Sequence, residues 1–199
     1  MSTADQLADL LFDDANHRYK LAGVLVPGVT SVLESAGLID YRFLGARREE
    51  YLRRGRDVHA ATHADDLDSL DESTVQPEYM GYVQAWRAFR RDYGFTADRL
   101  EHRVCNRQYG FAGTLDRTGA VRDGSHIILD IKSGVAPRAV RFQLAAYASC
   151  LLHPRSRRRR CVEVHADGSY RVIGYETREY EHDFNVFLCA LKLWKEKNR

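Results

Sequence analysis

Two short segments constrain this 199-residue chain more than any others: Gly113-Thr-Leu-Asp116 and, fourteen residues after that aspartate, Asp130-Ile-Lys132. Between them, Arg122-Asp-Gly-Ser125 carries the Asp-Gly pair that a tight hairpin turn favours, because a primed turn needs positive φ at its centre. The spacing predicts antiparallel strands over about 111–121 and 125–133. Side chains alternate along a strand, so Asp130 and Lys132 fall on one side and Leu129 and Ile131 on the other; Asp116 and Leu115 part in the same way. One sheet face can collect Asp116, Asp130 and Lys132 while the opposite face is apolar core.

In isolation, a D-x-K tripeptide is commonly a solvated ion pair on a strand face. Here the strand Ile127-Ile-Leu-Asp-Ile131 is apolar apart from its aspartate, as strands buried on both faces are, so Asp130 interrupts a core pattern. A buried carboxylate with no metal or cation beside it costs several kcal/mol, roughly, and such groups are kept chiefly at functional sites. After the strand, Pro137 stands near a helix start, and Gln143 and Tyr147 share one stripe of a helix over Arg138–Leu152. Ala139, Val140, Leu144 and Ala148 remain for packing on the sheet. Upstream, Arg54-Gly-Arg-Asp-Val-His59 lies on a strongly charged helix of about residues 43–64.

The remaining elements follow from periodicity. A hairpin is expected near 12–26, then a turn at Pro27-Gly28 leading into Ser31-Val-Leu-Glu34, which fits a capping box. Pro77 opens a helix whose Tyr79, Val83, Trp86, Phe89 and Tyr93 form an aromatic core stripe rather than a base-stacking platform. A strand near 101–106 precedes the central hairpin. Strands near 159–166 and 169–176 are joined by Asp167-Gly168, and Tyr180, Phe184, Phe187, Leu188, Leu191 and Trp194 mark a final amphipathic helix. The pattern is one α/β domain over 1–199, with helices on both sides of the sheet: N-terminal hairpin and helices over 1–98, a catalytic core over 99–176 and a C-terminal helix over 177–199.

Net charge is only +2, but its distribution is uneven. Arg42, Arg47, Arg48, Arg53, Arg54 and Arg56 cluster ahead of His59, and five arginines fall in 155–160, while Asp65, Asp66, Asp68, Asp71 and Glu72 follow in an acidic connector. Such asymmetry permits a basic track for phosphate backbone. The first cluster is the better nucleic-acid contact because it shares a helix with His59; the Arg157–Arg160 run reads equally as a track or as a charged strand edge guarding against aggregation. The four cysteines, Cys105, Cys150, Cys161 and Cys189, lack C-x-x-C spacing, which argues against disulfides or a zinc site. His59 and His63 stand at i,i+4, but Ala60 replaces the glutamate of an H-E-x-x-H helix. Glu101, at the start of the first strand, reads as a surface or supporting acid. No apolar run suggests a membrane span, and the first residues lack a basic segment followed by an apolar one, so a cytoplasmic location is expected, host cytoplasm if phage-encoded.

In order along the chain, a helical histidine (His59), G-x-x-D (Gly113–Asp116), D-x-K (Asp130–Lys132) and Q-x-x-x-Y (Gln143–Tyr147) resemble the PD-(D/E)XK nuclease superfamily, specifically its RecB-like branch. The likeness covers about residues 50–150 and is similar to the phage-type and mitochondrial genome-maintenance exonucleases; Leu115 replaces the proline of the eponymous motif. The resemblance implies a three-layer α/β/α restriction-endonuclease-like core of αβββαβ type with a mixed central sheet and extra N-terminal and C-terminal helices. It also implies a divalent-metal-dependent DNA exonuclease of recombination, replication or repair. His59, Asp116, Asp130 and the Ile131 carbonyl would hold Mg²⁺, with Mn²⁺ an expected substitute, and Asp116, Asp130, Lys132, Gln143 and Tyr147 would form the catalytic set. Arg47, Arg48, Arg53, Arg54 and Arg56 would contact DNA, and a recombination or replication protein is an expected partner. The cysteine spacing does not match the iron–sulfur cluster of some RecB-like relatives. Two other readings remain: an endonuclease on branched or single-stranded DNA, and a catalytically silent DNA-binding subunit, against which the intact Asp116, Asp130 and Lys132 argue.

Overall fold

The computed structural model describes residues 9–14 and 16–199; the chain start, read above for a leader, lies outside them. In chain order the described elements are β1 Leu10–Asp13, β2 Arg18–Leu21, β3 Val24–Val26, α1 Val29–Ser35, α2 Arg48–Asp66, α3 Met80–Tyr93, β4 Thr96–Asn106, β5 Phe111–Ala120, β6 His126–Ser133, α4 Val140–Ala148, β7 Arg158–Val164, β8 Tyr170–Tyr175 and α5 Tyr180–Lys197. The first three strands form a small meander, and β4-β5-β6-β7-β8 form a five-stranded mixed sheet. Every neighbouring pair in that sheet is antiparallel except β6 and β7, which α4 connects as a parallel crossover.

Alternation along β6 explains why helices lie against both sides of the sheet. Ile127, Leu129 and Ile131 pack in one buried cluster with Val58 of α2 and Trp86 and Phe89 of α3. Ile128, between them in sequence, joins a second cluster with Leu144 of α4 and Phe187 of α5. Asp130 occupies the second set of positions and is 1 % exposed, so the carboxylate does interrupt a core. The aromatic stripe of α3 is core as expected, with Tyr79, Val83, Trp86 and Phe89 buried and only Tyr93 exposed.

Several local expectations are corrected. The N-terminal hairpin is a three-stranded meander because Ala22 and Gly23 both adopt positive φ, making a two-residue turn between β2 and β3 that Ala-Gly signals poorly. Ser31 lies inside α1 and forms no capping box; Gly28 is the cap, and the Pro27 carbonyl accepts from the Ala112 N–H at 3.0 Å, which fixes the helix entrance against β5. The helix expected over 43–64 is broken at Gly45 (φ 51°, ψ −128°), so a 3₁₀ stretch over Arg42–Arg47 precedes α2 and Arg47 stands outside it. The β5–β6 turn is a three-residue loop: Gly124 alone has positive φ, its N–H bonds the Val121 carbonyl, and the Val121 N–H bonds the Ser125 carbonyl. That is a type I turn closed by a left-handed glycine, which needs no positive φ at Asp123. The helix after β6 is also shorter than 138–152, spanning Val140–Ala148.

Charge is buried where sequence suggested surface. Asp65 and Asp66 close α2 rather than lying in a connector: Asp65 pairs with Arg87 and Arg90, and Asp66 Oδ2 accepts from Arg117 Nε at 2.6 Å. Arg117 is fully buried beside the Trp86 ring. In the second basic run, Arg159 is fully buried in an interior strand, where its Nη1 donates to Asp183 Oδ2 at 2.7 Å; Asp183 Oδ1 also accepts from Arg141. β7 is flanked by β6 and β8, so this run guards no edge. Among the described residues, no helix is long and apolar enough to cross a membrane.

Candidate functional site

At Asp116 the regular geometry of the sheet gives way. Paired residues of β5 and β6 run from Ala120↔His126 to Arg117↔Leu129 and stop there. Beyond that point Asp116 Oδ2 accepts the Ile131 N–H at 2.8 Å, so a side-chain carboxylate takes the place of a main-chain acceptor. Strict alternation would put Leu115 and Arg117 together; instead Leu115 joins the cluster beneath α4 and α5, while Arg117 reaches Asp66 and Trp86 on the other side. Across the β4–β5 ladder, between the pairs Leu100↔Arg117 and His102↔Leu115, Glu101 has φ 42°. A glutamate in the left-handed region of a strand is strained, and such strain concentrates at functional sites.

Glu101 is held from two directions. Its Oε1 accepts from Arg117 Nη1 at 2.9 Å and lies 4.0 Å from His59 Nδ1. His59 projects from α2 with Nε2 2.8 Å from the Ile131 carbonyl, to which it donates, and Nδ1 3.6 Å from Asp116 Oδ2. One ligand atom each from His59, Glu101 and Asp116 falls within 4.8 Å of the others, a cluster able to hold an ion. Sequence reading leaves Glu101 outside the site, because a positive φ inside a strand leaves no mark in composition or periodicity.

Asp130 sits deeper. Lys132 Nζ is 2.7 Å from its Oδ2, yet neither carboxylate oxygen has an aligned hydrogen-bond donor. Asp116, Asp130, Lys132, Gln143 and Tyr147 wall one cavity of about 190 Å³ together with Glu101. The meander and the start of α1 close its other side through His17, Tyr19 and Thr30, and the Tyr19 hydroxyl is 2.9 Å from Thr114 Oγ1. Gln143 Nε2 donates to the Tyr147 hydroxyl at 3.3 Å. Gly113 makes room for that tyrosine: a Cβ there would lie 2.6 Å from Tyr147 Cε1 and 3.3 Å from Val29 Cγ2.

The electrostatics follow from burial and crowding. Burial pushes the Asp116 carboxyl up to about 6; the His59 charge opposes this, while Asp130 and Glu101 add to it. For His59, burial disfavours the charge, but the Asp116 carboxylate and Glu101 together outweigh it, so the imidazole is held above its ordinary value. Lys132 behaves in the same way: burial is opposed by Asp130 and Asp116, and its ammonium is held above the usual lysine range. Burial, above all, raises the Tyr147 phenol.

The expected set is therefore brought together from α2, β5, β6 and α4, with Ile131 contributing its N–H to Asp116 and its carbonyl to His59. Of the five arginines expected to contact DNA, Arg54 alone turns toward this region: its Nη2 donates to the Ser133 carbonyl at 3.1 Å and its guanidinium covers the Tyr51 ring. Arg47, Arg48, Arg53 and Arg56 are exposed and stand apart from the cavity. No protein-family model matches the chain, and no curated protein matches it in sequence.

Proposed function

We propose that this chain is a divalent-metal-dependent DNA nuclease of the PD-(D/E)XK superfamily, RecB-like branch, acting as an exonuclease in phage-type recombination, replication or repair. The observation that carries the reading is the single cavity into which Asp116, Asp130, Lys132, Gln143 and Tyr147 converge from three elements, in the order that the resemblance requires. The succession α3-β4-β5-β6-α4-β7 and the helices against both sides of the mixed sheet accord with a restriction-endonuclease-like three-layer core.

The donor set fits a hard divalent cation. Asp130 is buried with, among the described residues, Lys132 as its one close cation, Asp116 resists ionisation without a cation, and both carboxylates are oxygen donors of the kind Mg²⁺ takes. His59, Glu101 and Asp116, whose ligand atoms already lie together, would hold the ion, with Asp130 and the Ile131 carbonyl, now engaged by Lys132 and His59 Nε2, as the other expected ligands; the imidazole nitrogen makes Mn²⁺ an acceptable substitute. When bound, the ion supplies Lewis-acid polarisation of a phosphate and an acidified water.

The protein's own groups do the remaining work. Lys132 places an ammonium beside the buried carboxylates, where a low-dielectric setting makes its stabilisation of developing phosphoryl charge large. Gln143 and Tyr147, linked to each other, offer donors that fix a phosphate oxygen for in-line attack. His17 and Tyr19 add the N-terminal meander to the cavity wall and narrow it. Digestion of matched linear and covalently closed circular DNA in Mg²⁺ tests the reading. Degradation of the linear form alone is expected; cleavage of the circle would make the protein an endonuclease, and no turnover on either would leave a silent binding subunit.

A further inference from the structure

A second and larger cavity of about 570 Å³ lies at the other end of the β4–β5–β6 strands, where Arg99 of β4, Thr118 of β5 and the turn carrying Arg157 meet. It is one structural step from the catalytic cavity on each of three elements. Arg99 is two residues before Glu101, Thr118 two after Asp116, and Leu151 four after Tyr147. Two residues of strand advance roughly 7 Å, the length of about two stacked nucleotides.

Its charge is unbalanced. Arg157 Nε donates to the Leu152 carbonyl at 3.0 Å, and among the described residues no carboxylate lies within ion-pair distance of its guanidinium. Among the same residues Arg99 has no carboxylate partner either; its Nη1 donates to His102 Nε2 at 2.7 Å, and because a guanidinium can only donate, that imidazole is neutral. Burial and Arg99 hold His102 below its ordinary value accordingly. Arg158 is already satisfied by Asp123 and Ser125. The lining carboxylate Asp98 accepts the Thr118 hydroxyl and faces His126 at 3.8 Å. Arg99 and Arg157 are half-buried and share a cavity of the size that small ligands occupy; burial, with Arg99 adding to it and Asp98 opposing it, holds the Arg157 guanidinium below its ordinary value.

We propose that this cavity is a phosphate subsite, in which Arg99 and Arg157 grip a backbone phosphate of the nucleic-acid strand that the Asp116–Asp130 cavity acts on. Paired guanidiniums are the donors that bind phosphate oxygens bidentately. The turn before β7 keeps Arg157 in place through its bond to Leu152, so little side-chain entropy is lost on binding. This subsite rests on the nuclease reading and adds to it a second point of contact for the strand, apart from the Asp116–Asp130 cavity.

The test uses binding, not cleavage, in a full-length Asp130→Asn background without added metal. A fluorescent single-stranded oligonucleotide, a nucleoside 5′-monophosphate and inorganic phosphate are titrated against this protein and its Arg99→Gln, Arg157→Gln, Arg157→Lys and Arg178→Gln derivatives. Each glutamine substitution in the cavity should weaken oligonucleotide binding about tenfold and lower the salt slope by about 0.7 for every phosphate no longer neutralised. Arg157→Lys should recover part of the affinity, since it keeps the charge and loses the fork. Arg178→Gln, exposed and outside the cavity, should change nothing, and all melting temperatures should coincide. Unchanged oligonucleotide affinity in both folded glutamine variants overturns the subsite. Loss confined to phosphate and mononucleotide overturns it as well, in favour of a free-nucleotide site. Parent protein that binds no oligonucleotide at all overturns the nuclease reading itself, a different result from binding that the variants leave intact.

Discussion

Asp116 performs two tasks that pull against each other. Its carboxylate replaces a main-chain acceptor for Ile131, which needs only an oxygen, and it offers negative charge inside a crowd of Asp130 and Glu101, which the fold resists. Because the folded value is raised from 3.8 to about 6, the contribution of Asp116 to the stability of the protein without metal is most favourable at low pH and is lost as pH rises from about 4 through 6. Asp116→Asn keeps the acceptor and removes the charge. The metal-free variant should therefore melt a few degrees above wild type at pH 8, with the gap closing toward pH 4, while DNA cleavage falls on the order of a thousandfold or more. Thermal melts across pH with EDTA present, paired with cleavage assays in Mg²⁺, check both halves. Equal melting at pH 8 would mean that Asp116 is not crowded as described. Gly113 offers a complementary case in which space, not charge, is the variable. Gly113→Ala puts a methyl where the Tyr147 ring lies, so it should cost about 1–3 kcal/mol of stability and lower cleavage at least tenfold; Gly55→Ala, where an added Cβ meets nothing and no positive φ is required, serves as the comparison. In the sequence Gly113 is only one letter of a motif. Its reason, the approach of an aromatic ring from α4, is a meeting of residues 34 positions apart.

At the scale of elements, the connection between β6 and α4 decides whether Lys132 and Gln143 face each other. Glu163 of β7 organises it: a buried carboxylate accepts the Ala136 N–H at 2.7 Å and pairs with Arg171 of β8. Burial would raise its pKa, but the Arg171 hydrogen bonds and the Ala136 N–H hold it below the ordinary glutamate value. The stability this contributes is complete above about pH 4.5 and is lost as pH falls through the depressed folded value. Glu163→Gln should thus destabilise by roughly 1–3 kcal/mol at pH 7 and lose most of that difference near pH 3, as denaturant titrations at the two pH values would read. A difference that persists undiminished at pH 3 would mean that packing, not charge, is responsible. The same scale shows what sequence could convey. Strands β5, β6, β7 and β8 and helices α3 and α5 follow from alternation, turn glycines and a 3–4-residue aromatic stripe, all local signals. The β2–β3 turn is hidden because Ala22 adopts positive φ, which Asn or Asp would have announced. The break at Gly45 is hidden because a glycine inside a helical pattern is compatible with continuation. The site order is legible for His59, Asp116, Asp130, Lys132, Gln143 and Tyr147, whereas Glu101 is masked by its conformation.

Taken as a whole molecule, the chain's basic character is redistributed by folding. Arg117 and Arg159 are entirely interior, Arg87, Arg90 and Arg141 pair with carboxylates, and Arg54 leans on Tyr51 and Ser133. In sequence Arg159 has the same standing as Arg158, because a run of like residues carries no sign of which one meets Asp183 across the fold. The two basic regions should consequently respond to substitution in opposite ways. Arg159→Gln leaves Asp183 with Arg141 alone and removes a buried ion pair, a loss of roughly 3–5 kcal/mol, so its defect should be a lowered melting temperature. Arg53→Glu with Arg56→Glu changes only exposed side chains on α2, so folding should be intact. If those arginines line the approach to the cavity, DNA affinity should fall uniformly across sequences and the slope of log affinity against log salt should drop by up to about 0.9 for each phosphate left without its arginine. Arg54→Gln should act differently again, reducing cleavage more than binding, because its guanidinium holds the end of β6 beside Lys132. Melting curves, salt-dependent DNA binding and cleavage rates in Mg²⁺ on all three variants separate the cases. An unchanged slope for the α2 double reversal, with folding intact, would move the DNA path off that helix and leave His59 and Arg54 as its contributions to the site.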